Sequence, residues 1–151
     1  MINRELINPQ SIVVVGGSNN VHKPGGRLVR NLLDGKYKGE LYVVNAKEDD
    51  VQGLKSYHSV HDIPETELAI ISIPGPACPE AVDVLAKQKN VKAFIVISAG
   101  FGEETHEGAI LEEQMLKSIN EAGASLIGPN CIGLMNMHYH GVFTQPLPEF
   151  H

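Results

Sequence analysis

The chain has 151 residues, of which 42% are hydrophobic and 20% charged, and it carries a net charge of −6. Such a chain buries one core, is too apolar to be disordered, and is too acidic for the dense basic patch that duplex binding needs. Cys78 and Cys131 alone make no disulfide framework, no run approaches eighteen apolar residues, and Met1 to Leu6 lacks the pattern of a signal peptide. These features predict a cytoplasmic protein with no nucleic-acid and no membrane partner. Recognition of a phosphate stays open, because backbone N–H groups and one or two cations suffice for it whatever the global charge.

Fifteen glycines and nine prolines imply many sharp turns between short elements. Ser11 to Val15 is a β-branched run ending at Gly16-Gly17, and it reads as a strand buried on both faces. Gly26 to Asp34 carries Leu28, Val29, Leu32 and Leu33 at helical spacing, with Gly35 as the stop. Glu40 to Val44 reads as a second strand. Leu68 to Ile73 reads as a third, halted by Pro74-Gly75-Pro76. Cys78 to Lys89 predicts a helix with Pro79 in its first turn, where proline is tolerated. Ala93 to Ile97 is the fourth predicted strand. Glu107 to Ala122 is a longer helix closed by Gly123, and Ser125 to Ile127 is a fifth short strand. Strands alternating with helices at this spacing predict a single α/β domain, a Rossmann-like doubly wound parallel sheet of order 3-2-1-4-5. The domain is expected over residues 1–136. Residues 137–151 show no clear period and read as a linker or tail leading to a next domain.

Ligands of open parallel sheets bind at the carboxyl ends of the strands. The loops expected there begin at Gly16, Asn45, Ile73, Ser98 and Gly128. In the first, Gly16 and Gly17 permit a tight turn and close approach of a ligand, and Ser18, Asn19 and Asn20 offer side-chain donors. Gly25-Gly26 then opens a helix whose N–H groups and dipole favour an anion, with His22, Lys23 and Arg27 adding positive charge. A dinucleotide fingerprint needs three glycines within six residues and an acid ending the second strand. Here Gly25 follows Gly16 by nine positions, and Asn45 and Lys47 stand where that acid would be. A nicotinamide-dependent oxidoreductase domain is therefore the weaker reading. Lys47 suits a phosphate better than a ribose diol, and equally suits a solvated loop. Ile73 and Pro74 would wall a flat ring or simply cap a strand. Cys131 reads as an inert thiol more readily than a nucleophile. The seven histidines show no metal-ligand spacing, and no nucleophile, base and orienter set stands out, so neither a metal nor a catalytic residue is predicted.

The strings SIVVVGGSNNVHKPGGRLVRNLL, VVNAKEDDVQGLKSYHSVHDIP, ISIPGPACPEAV, IVISAGFGEE and LIGPNCIGLMN, in this order, resemble the N-terminal domain of NDP-forming acyl-CoA synthetases. That group includes ADP-forming acetyl-CoA synthetase, and the domain is also similar to the front of the succinyl-CoA synthetase alpha subunit. The resemblance runs from about Ser11 to Asn136 and implies a domain that binds coenzyme A. It implies that Ser18, Asn19 and Asn20 hold the coenzyme's phosphates, that Lys47 contacts a phosphate, and that Ile73 and Pro74 flank the adenine. It implies further that Ile97, Ser98 and Ala99 follow the pantetheine arm, although the succinyl enzymes carry an acid where this chain has Ala99. Pro129, Asn130 and Cys131 would lie toward the thiol. The family's phosphohistidine and ATP-grasp parts match nothing in this sequence, which predicts a chain that binds coenzyme A, catalyses nothing alone, and partners the remaining domains or subunit of a synthetase. Its C-terminus then reads as a fragment boundary. A non-catalytic regulatory domain of a protein acetyltransferase is the other family-level alternative.

Overall fold

A computed structural model describes residues 4–97, 106–127, 133–135 and 140–142. Nine strands and four helices fall within them: α1 Arg4–Ile7, β1 Ser11–Val15, α2 Pro24–Asp34, β2 Glu40–Val44, β3 Asp50–Val51, β4 Leu54–Tyr57, β5 Leu68–Ile71, α3 Cys78–Gln88, β6 Ala93–Val96, α4 His106–Glu121, β7 Ser125–Ile127, β8 Gly133–Met135 and β9 His140–Val142.

The main sheet runs β3-β4-β2-β1-β5-β6-β7. Every pairing in it is parallel except that of β3 with β4. Strand alternation divides the core in two. Val13, Val15, Ala69, Ile71, Phe94 and Val96 face α3 and α4, where they meet Val82, Leu85, Met115 and Ile119. Ile12, Val14, Ile70 and Ile95 face α2, against Leu28, Val29 and Leu32. The sheet is thus covered by helices on both faces, which is why its central strands β1, β5 and β6 are nearly all apolar rather than alternating.

The predicted Rossmann-like sheet is present, with one more parallel strand than the apolar runs reveal. With β4 counted as the third parallel strand, the order is 3-2-1-4-5 followed by a sixth, and Leu68–Ile71 becomes the fourth. The β4 segment, Leu-Lys-Ser-Tyr, is too short and polar to announce itself by apolar content. Its signal is the turn before it. Gln52 and Gly53 both take positive φ, 52° and 89°, the requirement of a two-residue hairpin turn with the twist of its strands.

The helix stop after α2 also sits one residue later than expected. Gly35 remains right-handed, and Lys36 takes the left-handed conformation at φ 55°. Tyr37 N–H then donates to the Leu32 carbonyl and Lys36 N–H to that of Leu33, which closes the helix in the Schellman pattern. At the end of α4, Gly123 itself takes φ 67° as expected.

β8 and β9 pair antiparallel across the expected boundary at residue 136, and β9 lies against α2. At the amino edge of the sheet, Arg4 of α1 meets Glu67 at 2.9 Å, and Gln10 N–H donates to the same carboxylate at 3.0 Å. The Arg4 guanidinium and this amide hold the Glu67 carboxyl below its ordinary range.

Candidate functional site

β1 occupies the middle of the sheet. The chain leaves it toward β2 on one side and returns to β5 on the other. The carboxyl ends of β1 and β5 therefore flank the switch point, where the two diverging loops open a crevice. A cleft of about 460 Å³ lies there, between the loops after β1, β2, β4 and β5.

Its floor is Gly16-Gly17-Ser18. Gly16 has φ 93°, and a Cβ on it would run into the Ser72 carbonyl. Glycine is required twice over, by the backbone angle and by the close approach of the β5 loop. Gly25, in the first turn of α2, is packed so that a Cβ would run into the Gly16 carbonyl. This contact holds the first turn of α2 against the back of the cleft floor.

That helix start is open to an anion. Its N-cap residue Lys23 makes no side-chain capping bond, Pro24 follows, and the first turn holds no acid. The helix dipole and the free N–H groups there favour negative charge. Lys23 lines the cleft, as does Lys47 from the loop after β2. Neither lysine pairs with a carboxylate among the described residues. Val60, Ile73, Pro74 and Ala81 add apolar surface to the same cleft. A molecule that carries both phosphates and a flat apolar ring suits a cleft with this mixed lining.

The loops are held by side-chain hydrogen bonds, some from residues that also line the cleft, Ser18 and Asn45 among them. Asn45 donates from Nδ2 to the Gly17 carbonyl at 2.9 Å, while its Oδ1 accepts from the N–H groups of Lys47 and Glu48. Asn19 donates to the Asp50 carbonyl at 2.9 Å and accepts from Gln52 N–H at 2.7 Å. Gln52 in turn donates from Nε2 to the carbonyls of Ser18 and Gly26, each at 2.8 Å. Ser18 Oγ accepts from Asn20 N–H, and Asn20 Oδ1 accepts from His22 N–H.

Of the residues singled out in the sequence, Gly16, Gly17, Ser18, Lys47, Ile73 and Pro74 line this cleft together. Gly25 lies behind its floor. Asn19 and Asn20 do not line it. Asn19 has both ends of its amide engaged with the β3–β4 hairpin, so its part is to hold the loop. Ile97 follows β6, bonds to the Ile71 carbonyl and packs on the α2 side of the core, away from the cleft wall. Ser98, Ala99, Pro129, Asn130 and Cys131 lie outside the described residues. The cleft also recruits His58, Ser59 and Val60, which follow β4. They reach the carboxyl edge because β4, a strand that apolar content does not reveal, pairs with β2. The Gln52-Gly53 turn is the signal that would have found them.

A wider groove of about 650 Å³ opens at the amino edge, between Asn8-Pro9-Gln10 and the turn from Gly35 to Glu40. Among the described residues, the loops that begin at Gly16, Asn45 and Ile73 do not line it. Among the described residues no group of three or more His, Cys, Asp or Glu side chains is placed to hold a metal, and no helix is long and apolar enough to cross a membrane.

A family model described as CoA binding domain matches residues 10–137. The alpha subunit of acetate–CoA ligase [ADP-forming] II from Pyrococcus furiosus is 40% identical over 135 residues, covering 88% of this chain and 29% of the relative. Acetate–CoA ligase [ADP-forming] II from Archaeoglobus fulgidus is 39% identical over 134 residues, covering 88% of this chain and 20% of the relative. The chain thus spans less than a third of the length of these curated relatives. Among solved structures, dinucleotide-forming acetyl-coenzyme A synthetase 1 from Ca. Korarchaeum cryptofilum superposes with a TM-score of 0.85 at 34% identity, covering 93% of this chain and 31% of that one. A Pyrococcus horikoshii OT3 protein does so with the same TM-score at 40% identity, covering 93% of this chain and 32% of that one. With its Rossmann-like sheet, its glycine-built cleft and a family match over most of its length, the chain belongs to the CoA binding domain family, in the branch shared with ADP-forming acyl-CoA synthetases.

Proposed function

We propose that this chain binds coenzyme A in the carboxyl-edge cleft, as the coenzyme-binding domain of an NDP-forming acyl-CoA synthetase. The observation that carries the proposal is that two lysines with no carboxylate partner among the described residues, an uncapped helix start and several apolar side chains meet at one cleft. Coenzyme A has this polarity: phosphates beside an adenine ring. Lys23, Lys47 and the N–H groups at the start of α2 would receive phosphate oxygens. Val60, Ile73 and Pro74 would flank the adenine. By the resemblance, the pantetheine arm would pass Ile97, Ser98 and Ala99 and bring the thiol toward Pro129, Asn130 and Cys131.

In the whole synthetase the reaction would be acid plus coenzyme A plus nucleoside triphosphate, giving acyl-CoA, nucleoside diphosphate and phosphate. The part of this chain in it would be to fix the coenzyme while other domains or a partner subunit carry the phosphoryl group. We assign it residues 1–136 as the binding domain, with 137–151 leading onward, and no catalytic step of its own.

A nicotinamide dinucleotide is the weaker fit. The position for a ribose-binding acid holds Asn45, whose side chain is committed to the Gly17 carbonyl and to two loop amides. Calorimetric titration with coenzyme A and dephospho-CoA tests the proposal. Coenzyme A at about ten times its Kd should stabilise the fold by about 1.4 kcal/mol. No heat and no thermal shift at millimolar coenzyme, or tight binding of NADH in its place, would overturn it.

A further inference from the structure

Asn45 joins two of the loops that line the cleft. Its backbone is pinned at the end of β2, where Asn45 N–H donates to the Tyr57 carbonyl at 2.9 Å and Gly16 N–H donates to the Val44 carbonyl at 2.9 Å. The side chain then reaches both ways. Nδ2 donates to the Gly17 carbonyl at 2.9 Å, and Oδ1 accepts from the N–H groups of Lys47 at 2.9 Å and Glu48 at 3.0 Å. One carbonyl and two N–H groups around the amide fix which end is nitrogen, because a reversed amide would set donor against donor and acceptor against acceptor. The bond to Gly17 also settles the direction of a peptide unit. In a trans peptide the N–H points opposite to the C=O. The N–H of the Gly17–Ser18 peptide, that of Ser18, therefore points away from Asn45. It has no hydrogen-bond partner among the described residues, and Ser18 lines the cleft.

We propose that Asn45 is the positioning residue of this cleft: it turns the Gly17–Ser18 peptide so that its N–H is left for an anion, and it holds the backbone that carries Lys47, so that both groups are in place before the ligand arrives. The proposal rests on the coenzyme A reading of the cleft and deepens it. The role requires the amide and not the isosteric acid. A carboxylate at residue 45 would still accept from the Lys47 and Glu48 N–H groups, but it would set its other oxygen against the Gly17 carbonyl. That repulsion drives the peptide to turn over, and Gly17 has no side chain to resist it. The Ser18 N–H is then spent on the carboxylate, and a carbonyl oxygen takes its place toward an incoming anion. In dinucleotide-binding sheets the acid that ends this strand takes ribose hydroxyls. The amide here serves the phosphate loop instead.

The test compares Asn45→Asp and Asn45→Ala with the parent 151-residue chain by urea unfolding, by calorimetry with coenzyme A and by amide NMR. Stability and affinity should rank the two variants in opposite orders. Asn45→Asp keeps the bonds from Lys47 and Glu48 and should be the more stable, whereas Asn45→Ala loses these and the bond to Gly17. Asn45→Ala should bind coenzyme A about fivefold more weakly than the parent, because the ligand must then order the loop itself. Asn45→Asp should lose about thirtyfold or more, the worth of a hydrogen bond to a charged phosphate whose donor has been turned away. Coenzyme A should move the Ser18 amide proton of the parent downfield. In Asn45→Asp that proton should lie downfield without ligand and respond little to it. An affinity order that follows the stability order, an Asn45→Asp protein within about threefold of the parent's affinity, or a Ser18 amide in Asn45→Asp placed as in the parent overturns the Asn45 proposal and leaves the coenzyme reading standing. A parent chain that binds no coenzyme A at millimolar concentration overturns both.

Discussion

Replacing Gln52 separates what its side chain does from what its backbone costs. Gln52 Nε2 donates to the Ser18 and Gly26 carbonyls at 2.8 Å each, so one side chain ties the cleft loop to the start of α2. A neutral hydrogen bond contributes about 0.5–1.5 kcal/mol net. Gln52→Ala should therefore cost about 1–3 kcal/mol, or several degrees in Tm for a chain of this size. The residue also sits at φ 52°, a conformation that costs a side-chain-bearing residue about 1–2 kcal/mol. Gln52→Gly loses the same bonds and sheds that strain, so it should be more stable than Gln52→Ala by about 1 kcal/mol. Gln52→Glu turns a double donor into a carboxylate facing two carbonyls, and should be the least stable of the three at neutral pH and recover on acidification. Urea unfolding at constant m-value ranks them. The loop loosened in Gln52→Ala must also be ordered again on binding, an expected loss of about fivefold in coenzyme affinity. A Gln52→Ala protein as stable as the parent, or a Gln52→Gly protein less stable than Gln52→Ala, would refute the assignment of Gln52 as the clasp.

Gly16→Ala and Gly25→Ala each put a methyl group into a backbone carbonyl. Each should cost about 1–3 kcal/mol in thermal unfolding, more at Gly16 because of its positive φ, and each should weaken coenzyme binding beyond its effect on stability. Lys47→Ala removes one exposed cation and should weaken coenzyme A by about three- to tenfold at low salt, with the difference from the parent shrinking by about 0.5 M salt. Because the folded-state pKa of Glu67 is depressed, its contribution is complete above the unfolded carboxylate range and is lost as pH falls through the folded value. Arg4→Ala removes the first cause of that depression. Acid titration should show the variant losing less stability than the parent as the pH falls through that window. An identical acid profile for both proteins would sink the pairing.

How much was legible beforehand follows from where the information resides. The strands β1, β5 and β6 are buried on both faces and β2 at its carboxyl end, so their own composition marks them. Hydrophobic periodicity likewise marks α2, α3 and α4, and glycines mark the first loop. Local chemistry therefore sufficed for the α/β layering and for a phosphate-suited loop after the first strand. Which loops share the cleft was a different question. β4 is short and polar because it lies near the sheet edge, and only its parallel pairing with β2 carries His58, Ser59 and Val60 to the ligand edge. Asn19 looked like a ligand donor because an amide in a glycine loop has no visible partner along the chain. Its partners are Asp50 and Gln52, more than thirty positions away. Ile97 packs on the α2 side of the core, because the alternation of β6 continues through it. The sequence by itself determined that a Rossmann-like sheet would form and that its first loop would suit an anion, because burial pattern and backbone freedom are local properties. Only the tertiary structure decided which side chains line the cleft and which tie its loops together, because hydrogen-bond partners and strand neighbours are set by distance in space.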